Sequence, residues 1–340
     1  MIRATGMGSW PGTDPREAIV TVRDLLSEGD GTAIPYLPET PARGPGADLI
    51  GRGAGVLTDL PVETQPSGWR LADRPGRDAE RTASLWRADL DELAEAYDGY
   101  SGPLKVAVAG PWTLAASIEL PRGERVLTDL GAAQELAASL ADGLGVLVAR
   151  LARLVPGAEI IVQLDEPSLP AVLAGELPTA SGYGRVRAVA ADQVVSALQE
   201  VTGSLPGQTL IHCCHPSAPI PVLRRSGADA LALDLTAASD ARWESVAATL
   251  EEGVGLYAGL LVTEGASLGS TGVAADLVVQ SARRLLEQSE RVGIDPALLA
   301  GIVVSPACGL AGAGRDGAIA IQRATLDLAA ELTDRLGSAP

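Results

Sequence analysis

The sequence predicts an α/β protein built as a single (β/α)8 TIM barrel with long irregular loops on its C-terminal face. Three observations carry this. Eight short apolar runs occur, each bounded by turn residues. Helical patterns separate most of them, and alternating strand and helix implies a parallel sheet. The apolar residues are Val, Leu, Ile and Ala, with no Phe at all, which suits strands buried on both faces. The 340 residues exceed a usual domain but fit one barrel, so 1–340 is expected to be a single catalytic domain. A doubly wound open sheet is the alternative arrangement of the same elements.

The apolar runs are 2–8, 32–37, 105–110, 159–165, 209–214, 230–235, 254–259 and 301–306. After the first, DPREAIVTVRDLLSEG has apolar residues at helical spacing, with Asp14 as N-cap and Pro15 at the first helical position. Helices are read likewise over 79–97, 126–154, 186–202, 240–251, 273–292 and 316–336. Two Pro- and Gly-rich stretches, 38–78 and 166–185, fit no barrel element. Both follow strands, which puts them on the C-terminal face, where barrels place their chemistry. Long irregular segments there are more often active-site covers than linkers.

Charge and cysteine usage narrow the function. Asp and Glu outnumber Lys and Arg by 43 to 26, a net charge of −17. An acidic surface repels phosphate backbones, so no nucleic-acid partner is expected. No apolar run reaches membrane-spanning length without charges, so no membrane partner is expected. The N-terminus shows no basic-then-apolar leader pattern. Three cysteines, two of them adjacent, do not make a secreted disulfide framework. Reduced thiols in a cytoplasmic protein fit better.

Chemistry gathers at the predicted strand ends. Gly8-Ser9-Trp10-Pro11 ends the first strand, Gly110-Pro111-Trp112-Thr113 the third and Gln163-Leu164-Asp165-Glu166-Pro167 the fourth. His212-Cys213-Cys214-His215 ends the fifth, Asp234 the sixth and Ser305-Pro306-Ala307-Cys308-Gly309 the eighth. Residues two apart in an extended chain point to the same side, so His212 and Cys214 share one ion. Cys308 arrives from strand eight and Asp234 from strand six. Thiolate and imidazole ligands favour zinc over magnesium or calcium. Buried, inert thiols are the competing reading. The chain's only two histidines flank the Cys pair, and that tips the balance to a metal site.

GSWP, GPWT, QLDEP, H-x-C and SPACGL, in this order from residue 5 to about 312, resemble the catalytic domain of cobalamin-independent methionine synthases. The resemblance implies a methyltransferase of methionine biosynthesis that moves a methyl group to the thiol of homocysteine. It implies zinc held by His212, Cys214, Asp234 and Cys308, with Asp234 standing where the family has Glu. It implies Asp165 as the carboxylate for the substrate ammonium, and Ser9 with the backbone N–H groups after Gly8 for its carboxylate. Glu166 is either a substrate contact or a cap before Pro167. Cys213 is expected to point away, and His215 to support the metal from behind or face solvent.

Three departures shape the expected donor. The full-length plant and bacterial enzymes carry a second barrel, and this chain has one. The family's Asp-x-His after the seventh strand, whose His delivers a proton to the folate, is replaced by Tyr257-Ala258-Gly259-Leu260. The family's Gly-Glu after the second strand is replaced by Arg43-Gly44-Pro45-Gly46. The expectation is therefore a methylcobalamin or corrinoid donor rather than methyltetrahydrofolate. Another thiol acceptor, or a relative that binds zinc without catalysis, is the alternative. A redox sensor at Cys213-Cys214 is weaker, since adjacent cysteines form only strained bridges.

Overall fold

The computed structural model describes residues 1–27, 31–263 and 271–337. Its main sheet is all parallel and closes on itself. The strands are β1 (Arg3–Thr5), β2 (Ala33–Ile34 continued by Tyr36–Leu37), β3 (Ser101–Ala109), β4 (Gly157–Asp165), β5 (Gln208–Cys213), β6 (Ala230–Asp234), β7 (Gly255–Leu261) and β8 (Val303–Pro306). Neighbours pair in chain order, and β8 pairs with β1. The two halves of β2 close the hoop. Ala33–Ile34 pairs with β1 and Tyr36–Leu37 with β3, on either side of Pro35, which has no N–H to give a ladder. This is a (β/α)8 barrel rather than an open sheet.

The outer helices are α1 (Pro15–Ser27), α2 (Arg77–Ala96), α3 (Leu130–Leu154), α4 (Ala191–Ser204), α5 (Ile220–Leu223), α6 (Asp240–Glu251), α7 (Thr271–Val292) and α8 (Arg315–Gly337). In α1, Asp14 Oδ1 accepts from the N–H groups of Arg16 and Glu17 at 2.9 and 3.2 Å, and Pro15 opens the helix. Its buried face is Ala18, Ile19, Val22 and Leu26, a helical spacing. The helix expected over 126–154 is split. Asp129 takes an extended conformation (φ −117°, ψ 106°) and caps α3 by accepting from Gly131 and Ala132. The expected helix at 186–202 starts late, because the N–H groups of Val186 and Val189 are held by Leu177 and Val172 carbonyls.

The loop at 38–78 is less irregular than expected. It contains a short helix, Leu49–Ala54, and a hairpin of Val62–Gln65 with Gly68–Leu71 that adds Ile118–Glu119 as a third strand. The loop at 166–185 holds the short helix Leu169–Ala174. Among the described residues, no helix is long and apolar enough to cross a membrane.

Inside the barrel the lower layers are apolar. Ile34, Ile161, Leu210, Ala230, Ala232, Tyr257 and Val303, with Met7 above β1, form a closed plug. Above it, the inward positions of β3, β4 and β5 turn polar, at Lys105, Gln163, Asp165 and His212, all buried. That change of layer sets the floor of the site.

Candidate functional site

His212 stands opposite Asp165 in the β4–β5 register, so both side chains rise on the same face. Its Nδ1 lies 2.7 Å from Asp165 Oδ1. Its Nε2 is buried without a partner. Cys214 follows on the same side and Cys308 arrives after β8. A His212 ring nitrogen and the two Sγ atoms all lie within 4.8 Å of one another. The two sulfurs are 3.3 Å apart.

The electrostatics of this trio are strongly perturbed. The hydrogen bond with Cys214 pulls Cys308 down to about 6, and the same contact together with burial pushes Cys214 up. Burial disfavours the His212 imidazolium, but the hydrogen bond and charge of Asp165 hold its pKa above the ordinary value. An unpartnered imidazole nitrogen facing two thiols, one already acidic, is a soft donor set that fits a zinc-type metal.

The remaining expected residues divide. Gly8 adopts φ +129°, which requires glycine. Its carbonyl accepts from the N–H of Glu39 at 3.1 Å. Ser9 Oγ accepts from the N–H of Ala311 at 3.3 Å, which ties this turn to the Cys308 loop. Asp165 is in the cluster through His212. Asp234 is not: its Oδ1 accepts from the Thr236 N–H at 2.8 Å and hydroxyl at 2.6 Å, so it closes its own turn. The structure brings together three of the four residues expected as ligands, His212, Cys214 and Cys308. Glu166 is corrected to a structural cap. One oxygen accepts from Trp112 N–H at 2.9 Å, and the other from Thr113 N–H and hydroxyl at 2.8 and 2.7 Å. With both oxygens engaged and the residue 0% exposed, it anchors the short helix Pro111–Ser117. Cys213 turns into the core and is pushed up to about 12 by burial. His215 is exposed, and its Nδ1 accepts from Ser217 N–H at 3.0 Å.

Three residues went unread. Glu39, at the end of β2, is buried beside Asp165, and burial pushes it up to about 7, with Arg52 opposing. Its Oε1 is 3.7 Å from Arg52 Nε and has no hydrogen-bond partner. A carboxylate therefore does stand at the second strand end, and the substitution inferred at Arg43–Gly46 is corrected. Arg43 instead pairs with Asp89 at 2.7 Å, alongside the Arg52–Asp89 pair. Lys105 and Gln163 are the other two, joined at 2.5 Å inside the barrel. The seventh strand also runs on to Leu261, with Leu260 buried within it, so Leu260 does not mark the strand end. Residues 264–270, which follow, lie outside the described residues.

The structure is a (β/α)8 barrel with a His/Cys cluster, able to hold a metal ion, over its C-terminal mouth. The family model for the cobalamin-independent synthase catalytic domain matches residues 1–331, and the chain belongs to that family. It is thus a methionine synthase-type methyltransferase domain. The family's description as cobalamin-independent conflicts with the corrinoid donor expected from the sequence. Among solved structures, a B12-independent methionine synthase from Shewanella sp. W3-18-1, in complex with selenomethionine, superposes with a TM-score of 0.64 at 13% identity, covering 98% of both chains. At that identity the likeness concerns the fold. A putative dihydrodipicolinate synthetase from Pseudomonas aeruginosa gives a TM-score of 0.38 at 12% identity over 98% of this chain and 85% of that one, and carries no argument. A search of curated proteins found no match.

Proposed function

We propose that this chain is a zinc-dependent methyltransferase that moves a methyl group to the sulfur of homocysteine, giving methionine. The observation that carries the reading is the bare Nε2 of His212 facing Cys214 and Cys308 beside two buried carboxylates, Asp165 and Glu39. His212, Cys214 and Cys308 would hold the zinc. When bound, zinc supplies a fixed positive charge that keeps a thiol sulfur deprotonated at neutral pH, where a free thiol titrates near ~8.5.

The chain's own groups do the rest. Asp165 Oδ1 is committed to His212 and Gln163, which leaves Oδ2 for an ammonium group. The unpartnered Glu39 Oε1 is the second acceptor for it. The Ser9 hydroxyl, whose oxygen already accepts from Ala311, keeps its hydrogen for the substrate carboxylate. The sulfur attacks the methyl carbon, and the bond to the donor nitrogen breaks. That nitrogen is a poor leaving group unless it takes a proton as the bond breaks. The donor of this reading is a methylated amine such as methyltetrahydrofolate. The Shewanella protein is matched over nearly its whole length, so one barrel of this size carries that name, which supports the reading.

Two measurements test it together. Protein purified without added metal is expected to carry about one zinc per chain; less than ~0.1 equivalent, unaltered by Cys308→Ser, overturns the metal site. Zinc-loaded protein given homocysteine and methyltetrahydrofolate is expected to form methionine. Zinc binding without product, with this and other thiols, would leave a relative that binds metal without catalysis.

A further inference from the structure

A buried lysine inside a barrel needs a reason. Lys105 is 0% exposed, in the middle of β3, with Tyr36 opposite it in the β2–β3 register. Its ammonium lies 5.2 Å from the Tyr36 ring centroid and donates to Gln163 Oε1 at 2.5 Å. Gln163 Nε2 in turn donates to Met7 O at 2.6 Å and to Asp165 Oδ1 at 2.7 Å. The chain of contacts ends at His212 Nδ1, 2.7 Å from the same oxygen.

We propose that Lys105 is a positioning residue that acts through Gln163 to hold Asp165, and with it His212, in the orientation that the metal and the substrate ammonium both require. The inference rests on the functional reading above. An ammonium group has three donors and no acceptor, so the amide oxygen of Gln163 must face it. The amide NH2 must then face the other way, where its two hydrogens meet the Met7 carbonyl and the Asp165 carboxylate. The flipped amide would set its NH2 against the ammonium and its oxygen against two acceptors. Lys105 removes that state. Asp165 Oδ1 is an acceptor only, so His212 must carry its hydrogen on Nδ1 and present Nε2 bare. One cation thereby fixes an amide, a carboxylate and an imidazole in sequence. The same amide grips Met7 beside the Gly8-Ser9 turn, so both ends of an amino-acid ligand are referred to one side chain. Burial pulls Lys105 down to about 8, while the charges of Asp165 and Glu39 work to keep it protonated.

The chain has only two histidines, which makes the relay observable. In zinc-loaded protein labelled with 15N-histidine, and assigned with His215→Asn, wild-type His212 is expected to show one Nδ1–H signal protected from exchange. In Lys105→Met that signal is expected to broaden or vanish. Zinc affinity, measured by competition with a chelator, is expected to fall 10–100-fold, as for other supports of a ligating histidine. The homocysteine KM should rise while kcat changes less. Lys105→Gln keeps a donor without the charge and is expected to fall between the two. In a Gln163→Leu background, Lys105→Met should add no further loss. Unchanged zinc affinity and an unchanged Nδ1–H in Lys105→Met, or fully additive losses, overturn the proposal while the metal site stands. If wild type itself binds no zinc, the functional reading fails instead. Failure of both Lys105 variants to fold would assign the lysine to the core and overturn the relay.

Discussion

Neighbouring carboxylates in one Asp-Glu dipeptide do opposite work here. Asp165 points inward and serves His212, whereas Glu166 points between strand and helix and binds only backbone and hydroxyl donors. Burial pushes Glu166 up to about 7 even against those donors. The unfolded value is near ~4.3. Between these the folded protein holds a proton that the unfolded chain has released. Stability from this group is therefore fully present below the unfolded pKa and is lost as pH rises toward 7. Glu166→Gln is expected to cost about 1–3 kcal/mol by leaving one N–H facing an amide NH2. It should also flatten the decline between pH 5 and 7 by at most about 1.4 kcal/mol per pH unit. Urea unfolding of both proteins at several pH values checks this, and equal slopes would mean the carboxyl does not titrate there. The roles of single residues were unevenly legible. His212 and Cys214 were readable because a two-residue period fixes a side. Asp234 misled because a carboxylate two residues before Thr236 folds back on its own turn, a choice that strand spacing does not record. Glu39 was missed because Pro38 made it read as loop.

At the level of elements, β4 and β5 carry Asp165 and His212, and the loop after β5 carries Cys214, a proposed ligand. That loop is held from outside by α6. Arg242 donates from Nη1 to the carbonyls of His215 and Pro216, at 3.2 and 2.6 Å. It is 8% exposed, and the charge of Asp234 partly offsets the burial that lowers its pKa. Arg242→Leu is expected to release the loop without unfolding α6, whose buried face also includes Trp243, Val246 and Leu250. Chelator-driven zinc loss should quicken by roughly 10-fold or more, within the range seen for supports behind ligands. An unaltered rate would show that Cys214 needs no such brace. Strand boundaries explain one omission at this scale. The run read as beginning at Lys105 begins in fact at Ser101, through Gly102 and Pro103, residue types that weaken a strand pattern. Four residues of error turned a mid-barrel lysine into an apparent strand edge. The hairpin within 38–78 escaped notice because its partner strand, Ile118–Glu119, comes from far along the chain.

For the whole molecule, the apolar core is built apart from the proposed metal site. An apolar plug fills the barrel's interior below the site, and the remaining core lies between sheet and helices. Metal removal is therefore expected to keep the far-ultraviolet circular dichroism while lowering Tm by several degrees, in proportion to the lost ligand linkage. Calorimetry with and without chelator checks this, and global unfolding on chelation would show the metal to be structural. The alternation of strands and helices made this architecture legible from sequence, whereas closure depended on one residue. Pro35 divides β2, and each half grips one neighbour over two residues, while β3 and β4 are paired from Ser101–Gly157 to Ala109–Asp165. A ring assembled from unequal joints does not breathe evenly. Thermal opening will concentrate at the thin seam, and amides at 33–37 will exchange with solvent sooner than those of β3 and β4. The seam holds Tyr36 opposite Lys105 and leads into Glu39, so on the proposed function this thin joint borders the acceptors for the substrate's amino group.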